Sequence, residues 1–161
     1  MITTQKNPDG PGWILSTELW VPTPVGDVFS LFSDAFQLES ITPPWLHFHV
    51  VTPRPIVIGQ GTLIDYRLRL HGIPVRWQSE ITAWEPQRRF VDEQRRGPYR
   101  FWRHEHTFEA VNGGTLCRDR VEYGVPGGSL VHRLFVAGEL REIFQYRREV
   151  FPWMLRSSIP H

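Results

Sequence analysis

Several residue types are scarce in this chain of 161 residues, and each scarcity excludes a class of protein. The single cysteine, Cys117, excludes an internal disulfide framework and a zinc site made of thiolates. Lys6 is the only lysine, so the other 17 of the 18 basic residues are arginines. They are balanced by 17 acidic residues, which excludes a polybasic arm and an acidic disordered segment. Uninterrupted apolar runs are only a few residues long, so no stable membrane insertion is predicted.

The length and the two ends of the chain predict one domain. A chain of this size can form a single hydrophobic core, whereas two domains would each lie near the lower limit. Residues 1–11 are polar and lack the apolar segment of a secretory signal, so we expect a flexible N-terminal tail and a cytoplasmic location. The predicted domain covers residues 12–156 and is followed by a C-terminal tail over residues 157–161. Either a monomer or a homodimer is expected.

Period-two alternation of apolar and polar residues is the strongest pattern in the sequence. It runs through residues 62–70, 75–83, 90–95, 102–108 and 117–123. Such alternation is typical of strands with one buried face. Short joints between these segments contain turn-forming pairs such as Gly97-Pro98 and Asn112-Gly113, which favour hairpins. With further strands expected near residues 12–21 and 46–51, the pattern predicts an antiparallel sheet of about seven strands.

Helical patterns bracket these strands. Thr23 is predicted to cap a first helix in which Pro24 takes the first helical position, and a short second helix is predicted over residues 37–41. Ser129 is predicted to cap a long C-terminal helix. Pro152 is expected to kink or end that helix, because proline lacks a backbone N–H. The predicted fold class is therefore α+β.

Several motifs along the chain resemble one superfamily. They are Ile41-Thr42-Pro43-Pro44-Trp45-Leu46, Trp77-x-Ser79-x-Ile81, Phe90-x-Asp92-x-Gln94, Gly97-Pro98-Tyr99-x-x-Trp102-x-His104-x-His106-x-Phe108 and Asp119-x-Val121-x-Tyr123. Through them, residues 12–151 resemble the SRPBCC superfamily, in particular its polyketide cyclase/dehydrase and lipid-transport branch, which is related to START and Bet v 1 domains. The resemblance implies a helix-grip fold, in which a curved antiparallel sheet wraps around a long C-terminal helix and two short helices follow the first strand. Members of this superfamily include carriers, sensors and enzymes.

The predicted inner face of the sheet combines aromatic and polar side chains. The candidate ligand-binding residues on this face are Tyr66, Trp77, Ser79, Asp92, Gln94, Trp102, His104, His106, Asp119 and Tyr123. A closed core would not bury so many unpaired polar groups, whereas ligand pockets are mostly apolar with a few convergent polar groups. We therefore predict a cavity that binds a hydrophobic or amphipathic molecule of lipid, isoprenoid, polyketide or aromatic type, as a carrier or sensor. The alternative is a structural network in which His104 bonds Asp119 or Asp92 across strands.

The same polar residues support a second hypothesis, a cyclase or dehydratase. A His–Asp pair can act as a general acid and base without a cofactor. The candidate catalytic residues are His104, His106 and Asp119. Such chemistry also needs donors where negative charge develops, and no lysine or arginine is predicted to face inward from a strand. The sequence therefore favours binding over catalysis.

The sequence also contains features found in metal sites and in nucleic-acid-binding proteins. His104 and His106 lie two residues apart, as in sites made of two histidines and a carboxylate, with Asp92 or Asp119 as the third ligand. Such spacing arises readily by chance in a chain with seven histidines, so we expect no metal and no cofactor. The predicted outer face mixes arginine with glutamate, as in a solvated sheet surface, and this predicts no binding of nucleic acid.

Overall fold

Short turns join most of the neighbouring strands, so the sheet is antiparallel throughout. The computed structural model describes residues 1–158. The strands are β1 (Ile2–Lys6), β2 (Trp13–Val21), β3 (His49–Val50), β4 (Leu63–Leu70), β5 (Ile73–Glu85), β6 (Arg89–Arg96), β7 (Phe101–Val111) and β8 (Gly114–Gly124). They pair in the order β1-β2-β8-β7-β6-β5-β4-β3. Register shifts between β5 and β6 mark bulges, which bend the sheet.

The N-terminal segment differs from the sequence-based prediction. Residues 1–11 do not form a flexible tail, because Ile2–Lys6 pairs along its whole length with β2 as the edge strand β1. An isoleucine and two β-branched threonines give this segment strand propensity. Gly12, whose φ is 81°, permits the tight turn into β2. The sheet therefore has one strand more than predicted.

The helices lie where the pattern predicted them along the chain, before and after the central strands. After β2 come α1 (Val25–Phe32), α2 (Gln37–Ser40) and a short 3-10 turn (Pro44–Leu46). After β8 come α3 (Gly128–Val131), a π turn (His132–Val136) and α4 (Ala137–Ser158). These last three segments are continuous and together form the C-terminal helix. No helix among the described residues is long and apolar enough to cross a membrane.

The helix starts are shifted slightly from the predicted positions. α1 begins at Val25, so Pro24 precedes the helix, and no side-chain hydrogen bond caps it. The backbone carbonyl of Thr23 instead accepts a hydrogen bond from the Thr115 hydroxyl at 2.7 Å, which ties this residue to β8. The C-terminal helix begins at residue 128, one position before Ser129.

Pro152 lies inside α4 and does not end it. Phe151, Met154 and Leu155 beside it are buried in the same apolar cluster as Val28 and Phe29 of α1, and this packing holds the last turns in place. α4 therefore extends into the predicted C-terminal tail as far as Ser158, and the remainder of that tail lies outside the described residues.

Three apolar clusters connect the helices with the sheet. The first joins α1 and the end of α4 to β6, β7 and β8. The second packs Leu140 and Phe144 of α4 against β2 and β8. The third groups Val50, Ile64 and Tyr66 near the β3 edge. A cavity lies among these clusters, on the inner face of the sheet.

Candidate ligand-binding site

A partly enclosed cavity lies between the inner face of the sheet and the C-terminal helix. Its volume is about 130 Å³. The helix contributes Leu140, Ile143 and Phe144 to its wall, and α1 contributes Phe32. The sheet contributes Ile64, Tyr66, Leu68, Trp77, Ile81, Phe90 and Trp102, among others. Since an apolar cavity of about 150 Å³ can bind benzene, this one is large enough for a body close to the size of one aromatic ring.

Trp77 and Trp102 form an aromatic corner of the cavity. Their rings meet edge to face at 5.3 Å, and Tyr99 packs against both of them. The indole Nε1 of Trp77 donates a hydrogen bond to the Ser79 hydroxyl at 3.1 Å. Because the polar atom of Trp77 is already bonded within the protein, its ring offers the cavity an apolar surface.

Four ionisable side chains from three neighbouring strands form what we call the Asp–His cluster: Asp92 of β6, His104 and His106 of β7, and Asp119 of β8. In the strand register Asp92 lies opposite His104, and His106 lies opposite Asp119. The hydrogen bonds run diagonally instead, from His104 Nε2 to Asp119 Oδ1 at 2.8 Å and from His106 Nε2 to Asp92 Oδ2 at 2.9 Å. The two imidazole rings stack with their centroids 3.7 Å apart.

Asp119 lies on the side of the histidines away from the cavity and anchors the cluster through two hydrogen bonds. Its Oδ2 accepts a hydrogen bond from the Thr17 hydroxyl at 3.3 Å, while its Oδ1 bonds His104. His106 Nδ1 also lies 3.0 Å from this Oδ1, but the angle is unsuitable and Nδ1 has no hydrogen-bond partner. The contact between His106 and Asp119 is therefore electrostatic, and it favours a protonated His106.

Burial and neighbouring charges shift the pKa values of the two histidines in opposite directions. Burial lowers the pKa of His104, and the adjacent His106 lowers it further, so His104 is neutral near pH 7. Burial opposes charge on His106 as well, but its contacts with Asp119 and Asp92 outweigh burial and raise its pKa. Burial would raise the pKa of both aspartates, yet their bonds to the histidines hold those pKa values below the usual range. These shifts favour ionised carboxylates and favour protonation of His106 over His104.

Arg147 of α4 supplies a further charge and was missed in the sequence analysis. It lines the cavity, its Nε is fully buried, and Asp119 and Asp92 act on it electrostatically. Its positive charge offsets part of the negative charge of the two aspartates. The signal for it was helix spacing, since Leu140, Phe144, Arg147 and Phe151 recur every three or four residues along one face. Strand alternation gives no information on this residue, because it lies on a helix.

Comparison with known proteins now places this chain. A family model described as polyketide cyclase / dehydrase and lipid transport matches residues 21–146, which is most of the sequence. The chain belongs to this family. It is thereby a member of the SRPBCC superfamily, as the motifs indicated. A search of curated proteins finds no similar sequence.

Solved structures share the fold of this polyketide cyclase family member at low sequence identity. Protein Ms6760 from Mycobacterium smegmatis is 18% identical, with a TM-score of 0.73 over 99% of this chain and 100% of its own. Ara h 8.0201 is 16% identical, with a TM-score of 0.67 over 90% and 98% of the two chains. A START superfamily protein from Mycobacterium smegmatis is 12% identical, with a TM-score of 0.64 over 91% and 99%. These likenesses confirm the helix-grip fold and say nothing further about a ligand.

The cavity of this family member contains seven of the ten candidate ligand-binding residues, namely Tyr66, Trp77, Ser79, Asp92, Trp102, His104 and His106. The other three lie elsewhere. Asp119 lies behind the histidines and borders a separate, much smaller void. Gln94 bonds the backbone of Tyr99 through both ends of its amide, at 2.8 and 3.2 Å, and so closes the β6–β7 turn. Tyr123 is buried in the core, where its hydroxyl is 2.8 Å from His132 Nε2.

Part of the Asp–His cluster has the donor chemistry of a metal site. Asp92, His104 and His106 each offer a ligand atom, and these atoms lie within 4.8 Å of one another. Two histidines and one carboxylate are a common set for transition metals. Here, however, His106 is bonded to Asp92, and the cationic Arg147 acts on the same carboxylate. A cation would have to displace that bond beside a positive charge, so the absence of a metal stays our prediction.

Proposed function

We propose that the protein binds a hydrophobic or amphipathic small molecule in the cavity between the sheet and the C-terminal helix, as a carrier or sensor. The cavity itself is the observation that carries this proposal. Aromatic and aliphatic walls surround most of it, and the Asp–His cluster with Arg147 forms a polar region. That combination is typical of small-molecule sites. A purely structural interior would instead be filled with side chains at close-packed density.

The arrangement of the walls supports a ligand with two parts. Tyr66, Trp77 and Trp102 offer ring surfaces to an acyl, isoprenoid or aromatic body. His104 and Asp92 face the same cavity and can meet a polar head group. His104 Nε2 is bonded to Asp119, which leaves Nδ1 without a hydrogen bond among the described residues and available to a ligand.

Filling the cavity is the direct test. Ile143 lines the cavity from α4, whereas Gln145 on the same helix is exposed. We expect Ile143→Trp to weaken binding of the neutral one-ring probe toluene, measured by calorimetric titration, by about tenfold or more, because the larger side chain takes the space of the probe. Gln145→Trp adds the same side chain to the surface and should leave the affinity within about twofold.

Equal probe affinity in the two variants would contradict binding in this cavity, provided that circular dichroism shows both to be folded. Native mass spectrometry of protein purified from its own host supplies an independent measurement. A carrier is expected to retain an unaltered molecule, which appears as a fixed added mass and is absent from Ile143→Trp.

A second candidate function, a cyclase or dehydratase, gains support from Arg147. The strands offered no cation for a developing oxyanion, and α4 brings one to the cavity. In such a reaction His104 Nδ1 takes a proton from the carbon next to a ketone, and the electron pair moves to the ketone oxygen near Arg147. The resulting enolate carbon attacks a second carbonyl of the same molecule, whose oxygen takes the proton back from His104. Loss of water then completes the dehydration.

Turnover decides between the two functions. We expect a panel of polyketide-like and aromatic ketones to show no conversion by mass spectrometry. Conversion that disappears in His104→Ala while probe binding persists would reverse the ranking in favour of the enzyme.

A further inference from the structure

Arg147 is the only arginine or lysine in the wall of the cavity among the described residues, and no side chain of residues 1–158 pairs with it. Its Nε has neither solvent contact nor a hydrogen bond. None of its other donors bonds a residue within 1–158, and no carboxylate oxygen of these residues lies within 4.0 Å of its guanidinium. A guanidinium carries five N–H donors and no acceptor, so a half-buried one whose Nε is shielded from solvent and unbonded is costly to leave without a partner.

The surroundings of Arg147 offer it little compensation. The guanidinium carbon lies over the ring of Phe144, 5.2 Å from its centroid, which gives a weak cation–π contact. Asp92 and Asp119 act on it from a distance, while their nearest hydrogen bonds go to the histidines and to Thr17. A purely structural arginine would be expected to turn its planar fork towards one of these carboxylates. Here the fork remains without a hydrogen-bond partner in the wall of the cavity.

The charge of the site permits an anionic guest. Arg147 offsets part of the charge of the two carboxylates, and the contacts of His106 with the same carboxylates favour a second positive charge there. The carboxylate oxygens are also drawn towards the imidazole nitrogens at 2.8 and 2.9 Å. The hydrogen bonds that Arg147 lacks can then be supplied by an acceptor that enters with the ligand.

We propose that Arg147 is the head-group site of the cavity and binds the carboxylate of an amphipathic organic acid whose aromatic or aliphatic body lies against Trp77 and Trp102. This assignment rests on the proposed function and names its ligand class. A carboxylate matches the guanidinium with two parallel hydrogen bonds, which a neutral amide or alcohol cannot form. The small cavity favours short bodies, of about one ring.

Calorimetric titration with matched acid and amide pairs tests this assignment. The pairs are phenylacetic acid, cinnamic acid and 1-naphthylacetic acid, each with its primary amide. In the unmodified protein we expect at least one acid to bind about tenfold more tightly than its amide. Arg147→Met should remove this preference and leave the amide within about twofold, because the apolar stem is kept.

Two further variants separate the head-group role from structure. Arg147→Lys keeps the positive charge but loses the fork, so the preference for the acid should fall without disappearing. Arg141→Met changes an exposed arginine of the same helix and should alter neither affinity. Thermal melts followed by circular dichroism show whether each variant is folded.

The assignment would be overturned if none of the three acids bound the unmodified protein more tightly than its amide. This measurement needs no variant. An acid preference that survives in Arg147→Met would overturn it as well, leaving Arg147 as a counter-charge to the aspartates. If the assignment fails while toluene still binds, the proposed function stands without it. If the neutral probe fails too, the proposed function itself is wrong.

Discussion

The two faces of the central strands carry charges of similar spacing in opposite environments. On the outer face of β7, Arg103 lies 3.4 Å from Glu105, and these side chains are 34% and 25% exposed. On the inner face, His104 lies 2.8 Å from Asp119, and these are 5% and 14% exposed. Strand alternation alone assigns neighbouring residues to such different environments.

This comparison teaches that distance is a poor measure of what an ion pair contributes. Water screens the outer pairs, which are worth about 0–1 kcal/mol each. The inner pairs have lost their hydration, so removing one partner leaves a buried charge without compensation and costs about 3–5 kcal/mol. The outer face therefore tolerates change, whereas the inner face depends on each of its members.

The largest expected effect comes from neutralising Asp119. Asp119→Asn keeps the shape of the side chain but removes a charge that faces two histidines, so we expect the free energy of unfolding to fall by about 3 kcal/mol. Urea unfolding followed by circular dichroism measures this change. The matched outer variant, Glu105→Gln, also removes a carboxylate that faces two cations, and should cost less than about 1 kcal/mol.

Similar losses in Asp119→Asn and Glu105→Gln would remove the distinction between the two faces. Because Asp119 does not line the main cavity, we also expect Asp119→Asn to affect stability more than probe affinity.

The pH dependence of stability should separate the two inner histidines. The lowered pKa of His104 stabilises the protein above the ordinary value of 6.5, and that contribution is lost as the pH falls through the folded-state pKa. The raised pKa of His106 stabilises it below 6.5, and that contribution is lost as the pH rises through the folded-state pKa. Either group changes stability by at most about 1.4 kcal/mol per pH unit.

Urea unfolding from about pH 4 to about pH 9, which spans the titration of histidine, measures both losses. We call the low-pH part of this stability profile the acid limb and the high-pH part the alkaline limb. His104→Gln should flatten the acid limb and His106→Gln the alkaline limb, so each variant is the control for the other. The aspartates add a further loss only at lower pH, as the pH falls through their lowered pKa values. Flattening of the same limb by both variants would show that the two histidines titrate as one group.

The smallest effect is expected at Tyr123, which faces inward on β8 but takes part in no ion pair. Tyr123→Phe removes the hydrogen bond to His132 and should cost about 1 kcal/mol of unfolding free energy. Since Tyr123 does not line the cavity, the affinity for toluene should not change. A loss of affinity in a variant with unchanged stability would mean that the cavity extends further along β8 than its present walls.

Alternation predicted the antiparallel sheet and the inner face of its central strands, whereas the helix-grip arrangement was implied by the resemblance to SRPBCC proteins. It could not predict how far along a strand the cavity reaches, and for this reason Gln94 and Tyr123 share the inner face without reaching the ligand site. Diagonal bonding within the Asp–His cluster depends on side-chain rotation, which register does not determine. Strand alternation could not predict Arg147, because this side chain enters the cavity from α4 and not from the sheet.

The π turn in the C-terminal helix also determines which residues of α4 look inward. His132 packs against Trp13, with ring centroids 3.9 Å apart, and Phe144 further along lines the cavity. In an uninterrupted α-helix, twelve positions of separation would rotate these two side chains by about 120° relative to each other. The wider turn at His132–Val136 accommodates about one extra residue and reduces the offset to roughly 20°. Deleting one residue from that turn would therefore leave eleven positions of ordinary α-helix between the two side chains and preserve the offset of about 20°, so Arg147 would still face the cavity. Inserting one residue into the regular part of α4 before Arg147 would instead turn its guanidinium by about 100°, because no wider turn is there to absorb the residue.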